Sequence, residues 1–178
     1  VEVSFDSDNI SINGVISDIY NDNAVFYRYS TVRSRDILNA WICHLLLCLS
    51  RSFNRKTFLF GKDRRIYFDP LPHEKAVEYC SELLSIFFEG MSRPIEFFQH
   101  SSFAYASEYF STQSEPGRKA LAKARNIFSG DFSPVRDADD YYVAKLFRGY
   151  LPGKRFEETT MAVYSHLFDN IKEVSHDR

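Results

Sequence analysis

Between Ile10 and Leu49 the hydrophobic period of the chain changes once, and that change restricts the folds open to it. Ile10 and Ile12, then Val25, Tyr27 and Tyr29, alternate with polar residues as strand residues do. Asn21-Asp22-Asn23 separates the two runs, and Asn and Asp tolerate the left-handed backbone angles of a hairpin turn. From about Ser34-Arg35-Asp36 the period becomes helical: Leu38, Trp41, Ile42, Leu45, Leu46 and Leu49 form one wide apolar stripe. Burying each such side chain stabilises by roughly 1.5–3 kcal/mol, so a helix between a sheet and other helices is expected at the centre of the core.

The rest of the chain extends this pattern. Val1 to Phe5 alternates and, with Ile10–Ile19 and Ala24–Tyr29, predicts three short antiparallel strands. Thr57–Phe60 and Arg65–Phe68 predict a second hairpin around Gly61-Lys62-Asp63-Arg64. Pro70 and Pro72 lead into a helix from His73 to Met91, with Ala76, Cys80, Leu83, Leu84, Phe87 and Met91 inward and Gly90 marking its end. Pro94 to Phe98 reads as a buried strand or extended segment. Helices are expected over 101–111, 115–128, 139–147 and 157–173, the last turning Met161, Tyr164, Leu167, Phe168 and Ile171 inward, and the 175–178 tail as frayed. The fold class is α/β (α+β): a small mixed sheet flanked by several helices.

At 178 residues the chain is expected to form one domain burying roughly two-thirds of its unfolded surface. It opens at Val1, directly in a strand, and so reads as a fragment of a larger multi-domain protein. The net charge of −2 excludes any global attraction to nucleic acid, so DNA contact requires a local patch. With 17 Phe and 11 Tyr, the chain has aromatics enough for a core and for docking faces. Cys43, Cys48 and Cys80 lie in apolar helical patterns, and an odd count favours reduced thiols in the cytoplasm. No apolar run approaches the ~18 residues of a membrane span, and no signal-peptide pattern is read.

Few residue patterns point to chemistry. His44 and Cys48 share a helix face four residues apart, but with no second ligand pair they read as core. Asp137, Asp139 and Asp140 match no calcium loop and read as a solvated loop at a helix N-terminus. The basic stretch carries more information. Arg51, Arg55, Lys56, Lys62, Arg64 and Arg65 face a single acid, Asp63, with Phe58, Phe60, Tyr67 and Phe68 interleaved or adjacent. Cations that engage phosphates and aromatics that stack on bases suit DNA contact; a solvated hairpin with buried aromatics is the alternative.

Trp41-x-x-His44-Leu45, Glu89-Gly90-Met91-Ser92-Arg93-Pro94 and Leu146-Phe147-Arg148-Gly149 occur in an order and spacing that resemble the C-terminal domain of exodeoxyribonuclease V gamma subunits, the RecC family. The resemblance extends over essentially the whole chain. It implies a PD-(D/E)XK nuclease-like (restriction-endonuclease-like) fold without catalysis. It also implies RecB (beta) and RecD (alpha) subunits as partners, together with duplex and freshly split single-stranded DNA. ATP and Mg2+ would be used by those partner subunits, and this domain would need no cofactor. Active relatives read roughly G-x-I-D on one strand and D-Y-K on the next. That overlay puts Ser17 at the first acid, Phe26 at the second and Arg28 at the lysine. A serine is a weak ligand and a phenyl ring none, so a hydrated magnesium ion would lack its anionic anchors. Alternation is expected to turn the neighbouring Asp18 to the opposite face.

Three readings follow from these residues. The first is an inert structural and DNA-handling domain of an ATP-dependent helicase–nuclease in double-strand-break repair and recombination. The second is an active metal-dependent nuclease with unusual ligands, and the third a protein-interaction module without DNA contact.

Overall fold

A computed structural model of the chain describes residues 1–7, 10–50, 53–130, 133 and 135–174. The chain divides into two compact units, residues 1–84 with 169–178, and residues 85–168.

The first unit begins with β1 (Glu2–Ser7) and β2 (Ile10–Val15), an antiparallel pair that forms a sheet of its own. A second sheet takes β3 (Ile19–Tyr20), β4 (Asn23–Tyr27), β5 (Thr57–Phe60), β6 (Arg65–Phe68) and β7 (Ile171–Glu173), in that spatial order. Asn21 and Asp22 turn β3 into β4 with φ of 47° and 66°, the left-handed angles expected of this turn. The run Ile10–Ile19, read above as one strand, is interrupted. Residues 16–18 leave the ladder, with Ile19 N–H bonded to the Ser17 carbonyl and Val25 N–H to that of Asp18.

β4 and β5 run parallel. A parallel pair cannot be joined by a tight turn, and the helix α1 (Ser34–Leu49) makes the crossover. The inward face of α1 differs from the apolar stripe read in the sequence. Ile37, Ala40, Trp41, His44, Leu45, Leu47, Cys48 and Leu49 are buried, whereas Ile42 is exposed. Leu47 packs with Val3, Ile16, Ala24 and Phe53, so the small sheet and the large one share a core through this helix. On the other side of α1, His44 packs against both the Trp41 and Phe68 rings, at 5.8 and 5.4 Å. Its Nδ1 is 2.9 Å from Thr57 Oγ1 at the start of β5, and both residues are fully buried. The neutral ring carries one N–H and one lone pair. Thr57, the Cys48 thiol 3.6 Å from Nε2, and the Asp69 backbone carbonyl supply partners for both. Cys43, Cys48 and Cys80 are free thiols.

The turn between β5 and β6 is latched to the segment entering α1. Lys62 N–H bonds the Ser30 carbonyl at 3.1 Å, and Val32 N–H bonds Asp63 Oδ1 at 2.8 Å. Gly61 sits inside this latch, where a Cβ would collide with Val32 Cγ2 and lie 3.3 Å from the Ser30 carbonyl. α2 (His73–Ser92) continues two residues past Gly90. Its buried residues are Ala76 and Cys80; Phe87 and Met91, expected inward, are 58% and 72% exposed.

The second unit is helical. α3 (Gln99–Ser111) and α4 (Pro116–Ser129) enclose Phe98, Tyr105, Ala120, Ala124 and Phe128 with Phe156. Pro94 to Phe98 forms no strand, and of these residues Phe98 alone is buried. A 3₁₀ turn (Asp137–Asp139) and α5 (Tyr141–Leu146) follow, then α6 (Lys154–Asn170). Asp137, expected in a solvated loop, is buried. Its carboxylate accepts from His100 N–H at 3.2 Å, Ser101 N–H at 2.7 Å and the Ser101 hydroxyl. It thereby satisfies orphan donors at the start of α3, a helix well before it in sequence. Asp140 caps α5 through Tyr142 and Val143 N–H. The last helix ends at Asn170, and Ile171 then enters β7, pairing with Phe68. Among the described residues no helix is long and apolar enough to cross a membrane.

Burial pushes the His44 imidazole from its ordinary 6.5 down to about 4. The unfolded chain therefore takes up a proton that the folded one refuses. Stability from this site is complete above pH 6.5 and is lost as pH falls through about 4. The expected loss is on the order of 3 kcal/mol. Urea denaturation between pH 7 and 4 should show that slope, and His44→Phe should flatten it. Gly61→Ala should cost about 1–3 kcal/mol by overpacking, read from the same urea midpoint at pH 7.

Candidate functional site

Two places in the first unit hold the residues singled out above. The first is a depression of about 370 Å³ at the end of β4 and the start of α1, lined by Asp18, Phe26, Tyr27, Arg28, Asp36, Asn39 and Leu59. Phe26 shares a face with Ala24 and packs on the core around Leu47, so its ring floors the depression. Arg28, just past β4, directs Nη1 to Asp36 Oδ1 at 3.1 Å and Nε to Ser30 Oγ at 2.6 Å. Asp36 also accepts from Arg33 N–H at 2.9 Å, closing the first turn of α1. This carboxylate is thus already committed to a guanidinium and a backbone donor.

Ser17 and Asp18 exchange the roles expected of them. Ser17 is exposed and does not line the depression, whereas Asp18 does. Strand alternation fails here because residues 16–18 belong to no ladder. Asp18 lies close enough to Cys43 to add to burial in pushing that thiol up. The lining does not suit a hydrated magnesium ion. Phe26 offers no ligand, Arg28 brings a positive charge, and Asp36 is neutralised by it, so of the two carboxylates in this lining only Asp18 has no basic partner among the described residues. No group of three His, Cys, Asp or Glu side chains able to hold a metal occurs among the described residues.

The second place is the hairpin of β5 and β6 with its surroundings. Arg51 lies outside the described residues. Three of the other basic residues, Arg55, Lys56 and Arg64, reach acids. Arg55 is 3.9 Å from Asp22, Lys56 is 2.9 Å from Asp69, and Arg64 reaches Asp63 at 3.8 Å and Glu173 at 3.7 Å. Lys62 and Arg65 are exposed, and among the described residues no acid pairs with them. Lys172, on β7, joins the group at 2.6 Å from Asp69. Its two lysines hold the Asp69 carboxyl below its usual range. Asn21, Asp22, Asn23, Asn54, Arg55, Lys56, Phe58 and Pro70 enclose a second hollow of about 520 Å³ beside the hairpin.

Lys172 and Asp36 are the residues that sequence reasoning misses. The helical period runs through Lys172, and only the pairing of β7 with β6 brings it beside Tyr67. Asp36 reads as part of a helix start; its position three residues after the N-cap Arg33 is the available signal.

The profile described as the RecC C-terminal domain matches residues 1–110. RecBCD enzyme subunit RecC of Escherichia coli (strain K12) is 24% identical over 159 residues, covering 85% of this chain and 14% of that protein. The RecC subunits of Buchnera aphidicola from Schizaphis graminum and from Acyrthosiphon pisum are each 20% identical, over 142 and 151 residues. These cover 76% and 81% of the chain, and 13% and 14% of the relatives. The resemblance noted from the sequence is therefore met by family and relatives alike: the chain belongs to the RecC C-terminal domain family. It spans about one-seventh of the length of the relatives it matches.

The Arg28–Asp36 pair sets a measurable energy at the depression. In a double-mutant cycle with Arg28→Ala and Asp36→Ala, the coupling should be about 1 kcal/mol, since both side chains are largely shielded from solvent. A coupling indistinguishable from zero would show the pair to be incidental.

Proposed function

We propose that this domain is a non-catalytic, DNA-handling and assembly part of the gamma subunit of an ATP-dependent helicase–nuclease of the RecBCD type, acting in repair of double-strand breaks and in recombination. In this reading the chain is the C-terminal portion of a larger cytoplasmic subunit. It works with RecB and RecD on duplex and newly separated strands, and ATP and Mg2+ serve those partners. Family membership supports the setting. The observation that carries the non-catalytic part is the occupancy of the depression by Phe26 and the Arg28–Asp36 pair.

A PD-(D/E)XK-like scaffold is the fold we infer, and the parallel β4–α1–β5 connection is compatible with it. Such nucleases hydrolyse a phosphodiester with water activated on a metal held by two acids, while a lysine steadies the charged transition state. Here Arg28 stands at the lysine position with its charge already spent on Asp36. Such a site binds neither the ion nor the scissile phosphate, and it ties the strand end to the helix start.

The basic residues are the proposed means of holding DNA. Arg55, Lys56, Lys62, Arg64 and Arg65 lie at or next to one hairpin, within reach of a phosphate backbone. Their internal acids lower the net charge there, so affinity should be moderate and salt-dependent.

The assembled complex tests both parts. Purified full-length subunit should not cleave linear duplex with magnesium or manganese, and Asp18→Ala in the complex should leave its nuclease rate unchanged. Cleavage by the subunit alone that Asp18→Ala abolishes would overturn the inert reading. Replacing Arg55, Lys56, Arg64 and Arg65 with glutamine should weaken DNA binding and reduce the salt slope by up to about 0.9 for each phosphate no longer engaged. If unwinding and binding are unaffected, the domain is a protein-docking module alone.

A further inference from the structure

The face of the five-stranded sheet opposite α1 is built of aromatic rows that end in cations. Strand register fixes which residues share it. Ala24, Thr57, Leu59, Ile66 and Phe68 point to the core, so the intervening residues point the other way. One row across the strands reads Val25, Phe58, Tyr67, Lys172. The next reads Tyr27, Phe60, Arg65. The rings are neighbours: Phe58 lies 5.8 Å from Phe60 with nearly parallel planes, and 6.0 Å from Tyr67. Tyr27 is 60% exposed and adjoins Tyr29, which is 94% exposed. Lys56 Nζ sits 4.5 Å above the Tyr67 ring, and Phe58 also lines the hollow that holds Arg55 and Lys56.

Around these rows, Arg55, Lys56, Arg65 and Lys172 outnumber the two carboxylates paired with them, Asp22 and Asp69. Flat apolar rings with an excess of positive charge along one edge suit one class of ligand best. Bases stack on the rings while phosphates run past the lysines and arginines. Duplex DNA keeps its bases stacked inside and offers no flat ring to this surface. Protein interfaces also use Tyr, Phe and Arg but are depleted in lysine, and here two lysines, Lys56 and Lys172, lie beside the Tyr67 ring.

We propose that this sheet face is a stacking platform for single-stranded DNA, with Tyr27, Phe60 and Tyr67 receiving bases and Lys56, Arg65 and Lys172 receiving phosphates. The proposal rests on the DNA-handling reading above and narrows it to a separated strand. Asp69 acts as a placeholder: it holds Lys56 and Lys172 together beside the Tyr67 ring, and a phosphate that competes with it for both would draw Lys56 off the ring face and free that face for a base.

The test uses the full-length subunit assembled with its partners and an oligothymidylate carrying 5-iododeoxyuridine. Ultraviolet crosslinking followed by peptide mass spectrometry should place adducts on Tyr27, Phe60 or Tyr67. Adducts confined to other parts of the complex would overturn the proposal. Changing Tyr27, Phe60 and Tyr67 together to leucine keeps the strands apolar but removes the flat rings. It should lower oligothymidylate affinity at least tenfold and leave duplex affinity unchanged, since stacking is worth about 1–3 kcal/mol per base. Arg65→Gln with Lys172→Gln, at exposed positions, should reduce the single-strand salt slope by about 1.4, or 0.7 per phosphate. If both variants bind the oligonucleotide as wild type does, no platform exists. If they do so while the Arg55, Lys56, Arg64 and Arg65 variant still loses DNA binding, the platform fails and the broader reading stands. If that variant also binds normally, the broader reading fails first. Loss of subunit assembly in the leucine variant, with single-strand affinity retained, would assign the face to a protein partner and overturn the proposal.

Discussion

The contact of His44 with Thr57 holds the first unit together at its parallel crossover. Two strands that run parallel cannot pair until the chain has completed the helix between them. The pairing of β4 with β5 therefore depends on how firmly α1 lies against both. His44 supplies a directional bond at that junction, between the middle of the helix and the first residue of the returning strand. The ring also packs on both Trp41 and Phe68, so one residue provides both packing and orientation. A leucine there would pack but would leave Thr57 Oγ1 buried without its partner, at a cost of about 1–3 kcal/mol.

The same crossover decides the character of the depression at the end of β4. Because α1 starts there, Asp36 arrives beside Arg28, and the turn of the following hairpin closes over the connection through Asp63 and Ser30. What the strand end presents there is a satisfied ion pair on an aromatic floor, which ties β4 to the start of the helix. On the opposite face of the sheet, where the proposed contacts with DNA are concentrated, the cations exceed the acids Asp22 and Asp69 that pair with them.

Several features of this arrangement are legible in the residues alone. The hairpin turn at Asn21 and Asp22, the span of α1, both strands of the second hairpin and the helix from His73 follow from local chemistry: turn residues, periodicity and prolines. Phe26 and Arg28 both line the depression at the end of β4. Asp18 falls on the face opposite to the expected one because strand alternation does not run through residues 16–18, which lie between two strands. The inward stripe of α1 differs from its apolar stripe for a related reason. His44, Ala40 and Cys48 count as core only once a neighbour satisfies or accommodates them, and hydrophobicity alone prefers Ile42.

What the sequence determined by itself was the set of local elements, the surplus of aromatic rings, the basic stretch and the kinship with RecC C-terminal domains. Each is written in neighbouring residues or in their order. Tertiary structure alone decided which residues meet: Ile171–Glu173 leaving the helical pattern to become a sheet edge, Asp137 capping a helix 36 residues before it, Lys172 standing beside Tyr67, and Asp36 neutralising Arg28. These are long-range pairings whose energy comes from burial and from satisfying charges across the fold. Residues at such separations carry no local period by which their meeting could be read.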